Sequence, residues 1–442
     1  MTDPVAEAAE RIVTRLRSSV ESALRSKART VDDAEEAARI VGKVASEATL
    51  QAIADRWGTG YEKRVHVDDS GVERIFHRHG EREIQTLTGA MRLRRAYYLD
   101  RSGEGKGGIF PLDRRLGLGA GGLSPRLEEI VTELGSWVPF ERVPALIEKV
   151  LGIAISEQTA RRVTERCGAL IAAEEDREAE LLRRDPRAVV SDKAPARLAI
   201  AADGVMAHVG GDWREAKIAT LFEFDEHGEQ RAATKRYVAR FGSPEDLGEP
   251  LDLEARRAGA DRAGILVFLG DGAPWIWNLA SERFPHAVCI LDYFHAVQHA
   301  ASVARARFGT RVRAASAWLQ MAKARLFRDD VDWLIQQTRR FADEAGPPPK
   351  GAHAEDPRLV LARAIDYFRI NRDRMRYRTF RDRGLPIGSG VVEAACKTLV
   401  QQRLKGPGMR WGSGGAPAVL AARSAVLNRD LEQKLRAARG AA

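Results

Sequence analysis

The chain has 442 residues, 44% hydrophobic and 30% charged, the composition of a soluble folded protein too long for one ordinary core and suited to roughly two to four domains. Its 71 Lys and Arg residues against 62 acidic ones leave a formal charge of +9, which points to a polyanionic partner, nucleic acid first, or to a basic surface kept for solubility. Cys167, Cys289 and Cys396 lie far apart with no CxxC pair. That excludes a disulfide framework and a structural zinc site, and neither a signal-peptide pattern nor an uncharged apolar run of about 18 residues is present.

In chain order, residues 4–58 read as helices. Ile12, Leu16, Val20 and Leu24 recur every fourth position as an apolar stripe, suited to an intramolecular core or a dimer seam. From Tyr61 to Leu99 short alternating segments punctuated by Gly71, Gly80 and Gly89 predict a small antiparallel sheet. The glycine-rich loop RSGEGKGG follows, and Ser124 with Pro125 opens a helix. Residues 140–170 carry a helix-turn-helix pattern with a break at Gly152 and Ser156 as N-cap of the second helix. Ala160, Val163 and Cys167 would face inward, leaving Gln158, Arg161, Arg162 and Arg166 on exposed faces. Such a helix could lie in a major groove, or the two helices could simply pack on each other.

Residues 171–195 read as a charged connector. Three strands follow, in RLAIAADGVMAHV, REAKIATLFEFD and RAATKRYVARF; then come a polar helix, the strand AGILVFLGDG, the helix WIWNLASERF and the strand AVCILDYFH. Three antiparallel strands followed by alternating helix and strand is the order of an RNase H-like fold. From Ala296 to Arg383 the chain is helical and basic. The loop GLPIGSG then opens a last helix near Val391, and the tail RAARGAA is expected to fray.

Asp203 and Asp271 end strands of this region beside glycines that let a metal or phosphate approach, and Glu393 lies in the first turn of the last helix. Three such carboxylates could supply hard oxygen ligands to two Mg²⁺ ions for an in-line displacement at phosphorus. Singly, each has a plainer explanation: two Asp-Gly turns, and a Glu that closes a capping box or pairs with Lys397.

The segment GLPIGSGVVEAACKTLVQQRLKGPGMRWGSGGAPAVLAARSAVLN resembles the C-terminal catalytic segment of bacterial insertion-sequence transposases of the Kra-type family, distant relatives of Mutator-like enzymes. ADGVMAHV with WREAK, FLGDGAPWIWNLA, LDYFHAVQHA and YFRINRDRMRYRTFR resemble other segments of those enzymes, so that the likeness spans residues 80 to 430 or so. It implies a DDE enzyme whose metal triad is Asp203, Asp271 and Glu393, holding two Mg²⁺ or Mn²⁺ ions. It also implies that Asp292 and His295 match an Asp/His pair that follows the second Asp, with a catalytic role near the scissile phosphate or the flanking strand; the alternative is a strand-end turn with a hydrogen-bonded histidine. The resemblance further implies double-stranded DNA partners (the element's terminal inverted repeats and target DNA), a homo-oligomer at least dimeric on DNA, no membrane, and a cytoplasmic, nucleoid-associated location. Family members often carry a Cys pair before the PLD motif, but YYLDRSGEGKGGIFPLD has none. No zinc is expected there, and DNA contacts in that region would rest on Arg92, Arg94, Arg95 and the loop.

Between Arg369 and Arg383 seven arginines, among them Arg372, Arg374, Arg376 and Arg378, alternate with Met375, Tyr377 and Phe380. Basic groups with aromatics suit phosphate contact and base stacking, or else form a solvated helix face. Arg403, Lys405, Arg410 and Trp411 follow the last helix, where Trp411 could stack on a displaced base or belong to the core.

The expected architecture is α/β. It comprises an N-terminal helical region (1–60), a small β-rich segment (61–123), a helix-turn-helix-like region (124–175) and a linker (176–195). An RNase H-like catalytic domain follows (first part 196–300), with a basic helical insertion (301–384) and a C-terminal catalytic helix and tail (385–442). The expected function is a DNA transposase acting on the ends of its own element. The alternatives are a domesticated DNA-binding protein that no longer cleaves and an RNase H-like nuclease without strand transfer; a carboxylate-pair glycosidase fits the basic charge poorly.

Overall fold

The computed structural model describes residues 4–25, 29–68, 71–100 and 108–440. The chain is mixed α/β with two sheets and divides into two units, residues 1–170 with 432–442, and residues 171–431. Among the described residues no helix is long and apolar enough to cross a membrane.

The first unit opens with helices α1 (Pro4–Arg25) and α2 (Val31–Arg56). Thr30 caps α2, its hydroxyl accepting from the Asp33 amide at 3.1 Å while the Asp33 carboxylate accepts from the Thr30 amide. On α1 the apolar stripe is only half covered. Ile12 and Leu16 are partly buried, whereas Val20 and Leu24 are exposed. Strands β1 (Val65–Val67), β2 (Glu73–Thr86) and β3 (Gly89–Asp100) form an antiparallel sheet in that order. Gly80 does not interrupt it, for β2 runs straight through that position. Ile84, Met91 and Leu93 pack with Ala54 of α2.

Helices α3 (Pro111–Arg115), α4 (Pro125–Trp137) and α5 (Val143–Leu151) follow, and then α6 (Glu157–Arg184). The glycine-rich loop at 101–107 lies outside the described residues. Of the arginines beside it, Arg92 and Arg94 are exposed, but Arg95 is buried against Asp113 with its guanidinium 3.8 Å from the Phe110 ring, so it holds the sheet to α3. Glu128 of α4 is buried between Arg166 and Arg439.

The connector expected at 171–195 is helical as far as Arg184. Its Glu, Arg, Ala and Leu residues are strong helix formers, Glu174–Arg177 and Glu180–Arg183 pair at helical spacing, and Ala179 and Leu182 are buried.

In the second unit a five-stranded sheet has the order β6–β5–β4–β7–β8. Strands β4 (Arg197–Val209), β5 (Asp212–Glu223) and β6 (Arg236–Phe241) are antiparallel, while β7 (Ile265–Gly270) and β8 (Val288–Leu291) run parallel to β4. The unbroken apolar run of β7 suits a strand covered on both faces. Helices α7 (Pro244–Arg257) and α8 (Pro274–Arg283) supply the crossovers, and α9 (Tyr293–Phe308), α10 (Val312–Leu326), α11 (Val331–Ala345), α12 (Pro357–Ile370) and the short α13 (Tyr377–Asp382) follow. Trp318, Leu334, Phe341, Leu361 and Phe368 of these helices share one core with Phe268 and Leu291 of the sheet and Trp277 of α8. The strand expected at AVCILDYFH ends at Leu291; Asp292 is instead the N-cap of α9. A helical run of α14 (Gly390–Cys396), a π-helical stretch Lys397–Gln401 and α15 (Gln402–Leu404) comes next, then α16 (Gly415–Leu427) and α17 (Leu431–Gly440). The tail expected to fray is thus helical to Gly440, held in the first unit by the Arg439–Glu128 ion pair at 3.0 Å.

Candidate active site

The parallel pairing of β4 with β7 ends at Ala201 opposite Leu269. Asp203 and Asp271 each lie two residues further on, so equal steps past one rung bring both residues to the same level of adjacent strands, which are spaced about 4.8 Å apart; Asp203 does not end its strand as expected, for β4 runs on to Val209 paired with β5. β8 repeats the step: Leu291 pairs with Gly270, and the Asp292 amide donates to the Gly270 carbonyl at 2.8 Å. Helix α14 packs across β4 and β5, bringing Glu393 to this edge, with Cys396 Sγ 3.4 Å from Asp203 Oδ2 and His295 Nε2 3.8 Å from Glu393 Oε1.

These groups feel one another. Burial pushes the Asp203 carboxyl above the usual carboxylate range; the Gly204 amide and the Cys396 thiol pull it down, Asp271 pushes it up again and His295 lowers it. Burial, and then the neighbouring Asp203, raise the Cys396 thiol. His299, one turn beyond His295 on α9, is lowered first by burial and then by His295.

The Asp271 loop is held from two sides. Its Oδ1 accepts from the Ala273 amide at 2.8 Å, and its backbone carbonyl accepts from the Tyr367 hydroxyl of α12 at 2.9 Å. Tyr367 in turn stacks on His299 with ring centroids 3.6 Å apart. At Gly272, φ is +103° and a Cβ would strike the Tyr367 ring, so this glycine is required both by conformation and by space.

Asp292 is set apart from the other carboxylates by its burial and its partners. It is 0% exposed, and its oxygens accept from the amides of His295 (2.9 Å) and Ser389. A carboxylate spent on two backbone amides ties α9 to the loop before α14, so Asp292 positions both His295 and Glu393. His295 does reach the carboxylates.

Among the described residues no three His, Cys, Asp or Glu side chains stand close enough, as placed, to hold an ion. The donor chemistry nevertheless fits a hard divalent cation. Asp203, Asp271 and Glu393 offer only carboxylate oxygens, and the mutual repulsion of two part-buried carboxylates is what a cation would relieve. Cys396, Tyr367 and His299 carried no signal of their own in the sequence; only the helical spacing of His299 from His295 and the YFRINR segment around Tyr367 hinted at them.

The expected nucleic-acid contacts divide by burial. Gln158, Arg161 and Arg162 are exposed on α6; Ser156 accepts from the Thr159 amide at 3.0 Å, and Gly152, with φ +64°, ends α5. Arg372, Arg376 and Arg378 are exposed and Arg374 lies over the Trp277 ring at 4.6 Å. Met375, Tyr377 and Phe380, however, are buried; they are the core side of this stretch and cannot stack on bases. Arg403 (1% exposed) and Trp411 (9%) are likewise interior. Arg403 lies over the Trp411 ring at 4.9 Å, and the indole Nε1 donates to the Leu404 carbonyl at 3.1 Å. Lys405 and Arg410 beside them are exposed.

Residues 30–332 match the uncharacterised protein family UPF0236, and the chain belongs to that family. The match takes in Asp203, Asp271, Asp292 and His295 and ends before Glu393. A comparison with curated proteins returns no match.

Proposed function

We propose that the chain is a DNA transposase with an RNase H-like catalytic core, cutting and rejoining DNA at Asp203, Asp271 and Glu393 with two Mg²⁺ or Mn²⁺ ions. The observation that carries this reading is the placement of Asp203 and Asp271 two residues past the same rung of β4 and β7, with Glu393 on the helix packed over that edge. The strand order, three antiparallel strands followed by two parallel ones, supports it.

Two divalent cations, when bound, supply charge that stabilises the attacking and leaving oxygens of an in-line displacement at phosphorus. The protein's own part is orientation and exclusion of water. Asp203, within β4, and Asp271, just past β7, provide oxygen donors from a rigid sheet, and the part-buried setting strengthens every charge interaction there. Glu393 is carried on α14 over the same sheet, with His295 Nε2 3.8 Å from its Oε1. Tyr367 and Asp292 keep the loops that carry Asp271 and Glu393 in place. The net charge of +9 suits a DNA partner. Phosphate contacts fall to Arg372, Arg376, Arg378, Lys405 and Arg410, and reading of the element ends to Gln158, Arg161 and Arg162. Because an element has two ends, the working form is at least a dimer on DNA.

The test incubates the full chain with duplexes bearing the sequences that flank its gene, with Mg²⁺ or Mn²⁺, and maps breaks and joints. Breaks and joints at element ends are expected. Breaks without joints would make it a nuclease, and binding without breaks a DNA-binding protein.

A further inference from the structure

The strand that carries Asp203 continues past it into a tight hairpin. Gly210 and Gly211 join β4 to β5, both at positive φ (67° and 91°), a two-residue turn that only glycine-like residues make easily and that leaves the tip little freedom. Just after the turn stands Trp213, 63% exposed. His208 is its partner in register and meets it edge-on, ring centroids 5.8 Å apart. That contact covers one edge of the indole, and a large aromatic face is left to water.

The surroundings are basic. Lys405 Nζ is 6.0 Å from the Trp213 ring centroid, and Arg214 and Arg410 are exposed. Of the hairpin's two acids, Glu215 is engaged by Lys217 Nζ at 2.6 Å, leaving Asp212 at the turn. Lys405 also directly follows the helical run, Gly390–Leu404, that carries Glu393. Glu393, Lys397, Gln401 and Lys405 recur every fourth residue, and the last three are exposed, so a stripe of donors leads from the third carboxylate to the tryptophan.

From Asp203 to His208, Trp213's partner, is about 17 Å along the strand. Nucleotides in one strand of a duplex advance by about 3.4 Å and those of an extended unpaired strand by up to about twice that, so this path spans about three to five.

We propose that Trp213 is a stacking platform for an unpaired base of the DNA strand engaged at the carboxylates, about three to five nucleotides from the reacting phosphate, with Lys397, Gln401 and Lys405 following the phosphates between. The inference rests on the DNA-processing reading above. An unpaired base is the fitting ligand because the faces of a paired one are covered by its neighbours in the duplex, whereas an exposed indole next to a lysine offers stacking to any free base.

The test uses the full chain without added metal and fluorescein-labelled duplexes of roughly 20 base pairs, blunt or with single-stranded extensions of about two, five and eight nucleotides, of either polarity. Binding is read by anisotropy at one salt concentration. Extensions of five and eight nucleotides should bind about five- to a hundredfold tighter than blunt duplex. Two nucleotides should add little. Trp213→Ala should lose the gain and Trp213→Phe keep most of it, which separates stacking from a folding defect. A gain that survives in Trp213→Ala, or none at any length, overturns the platform while leaving DNA processing standing. If the unsubstituted protein binds none of these DNAs at low salt, the functional reading itself fails and the platform with it.

Discussion

The Tyr367 hydroxyl donates to the backbone carbonyl of Asp271 at 2.9 Å, across 96 residues of sequence. Helix α12 therefore holds the loop bearing the second carboxylate, and His299 stacked on the Tyr367 ring holds α12's side of the contact. Tyr367→Phe removes one hydrogen bond at a cost of about 1 kcal/mol in stability. It is expected to slow metal-dependent cleavage about tenfold and to raise the metal concentration needed for half-maximal rate. An unchanged metal requirement would show that the contact only supports the fold.

Asp203→Asn and Asp271→Asn, like Glu393→Gln, should each abolish cleavage, because each removes an ionic oxygen donor from a site that works by electrostatic stabilisation. Asp203→Asn should also raise stability in the absence of metal. Burial lifts the folded-state pKa of Asp203 above its unfolded value, so the ionised form is penalised in the fold at neutral pH, and that penalty disappears as pH falls through the folded pKa. Relief of about 1 kcal/mol would raise the unfolding midpoint by roughly 2–4 °C in EDTA at pH 7. The gain should vanish toward pH 3, and a lower midpoint at pH 7 would contradict it.

Asp292→Ala should behave in the opposite way. It strips a buried cap from α9 and leaves the Ser389 amide unpaired, at a combined cost of about 2–4 kcal/mol. Calorimetry that finds no loss would return Asp292 to the list of direct participants in catalysis.

The arginines separate into two classes. Arg372, Arg376 and Arg378 are exposed, and replacing all three with Ala should lower the slope of log affinity against log salt for duplex DNA by up to about 3, with little effect on stability. Trp411→Ala removes the buried ring under Arg403 and should cost about 3–5 kcal/mol instead. A salt slope unmoved by the triple substitution would place the DNA elsewhere.

On α6, replacing Arg161 and Arg162 with Ala should weaken binding to element ends more than to random duplex, each lost base contact being worth about 1–3 kcal/mol of discrimination. Equal losses on the two DNAs, measured at one salt concentration, would reduce these residues to phosphate contacts.

The sequence by itself determined the elements whose cause is local. The alternation and apolar runs of β4 to β7, the glycines after Asp203 and Asp271, and the caps at Ser124 and Ser156 act within a few residues of themselves, so pattern is enough to read them. It also marked Asp203, Asp271 and Glu393, which the resemblance joined as a triad, without showing how the chain brings the first two side by side. That was decided by register: the rung Ala201–Leu269 aligns two carboxylates 68 residues apart, and no periodicity within either strand encodes the alignment. Burial was decided the same way. Charge and aromaticity alone do not tell Trp411, packed under Arg403, from Trp213, left in water on its hairpin, because exposure depends on what the rest of the chain places against a side chain. The stretch after Leu170 makes the same point from the other direction. Its charges resembled a linker, but propensity and spaced Glu–Arg pairs carry the helix on to Arg184, and a charged surface on a helix differs from a charged loop only in which atoms its backbone bonds.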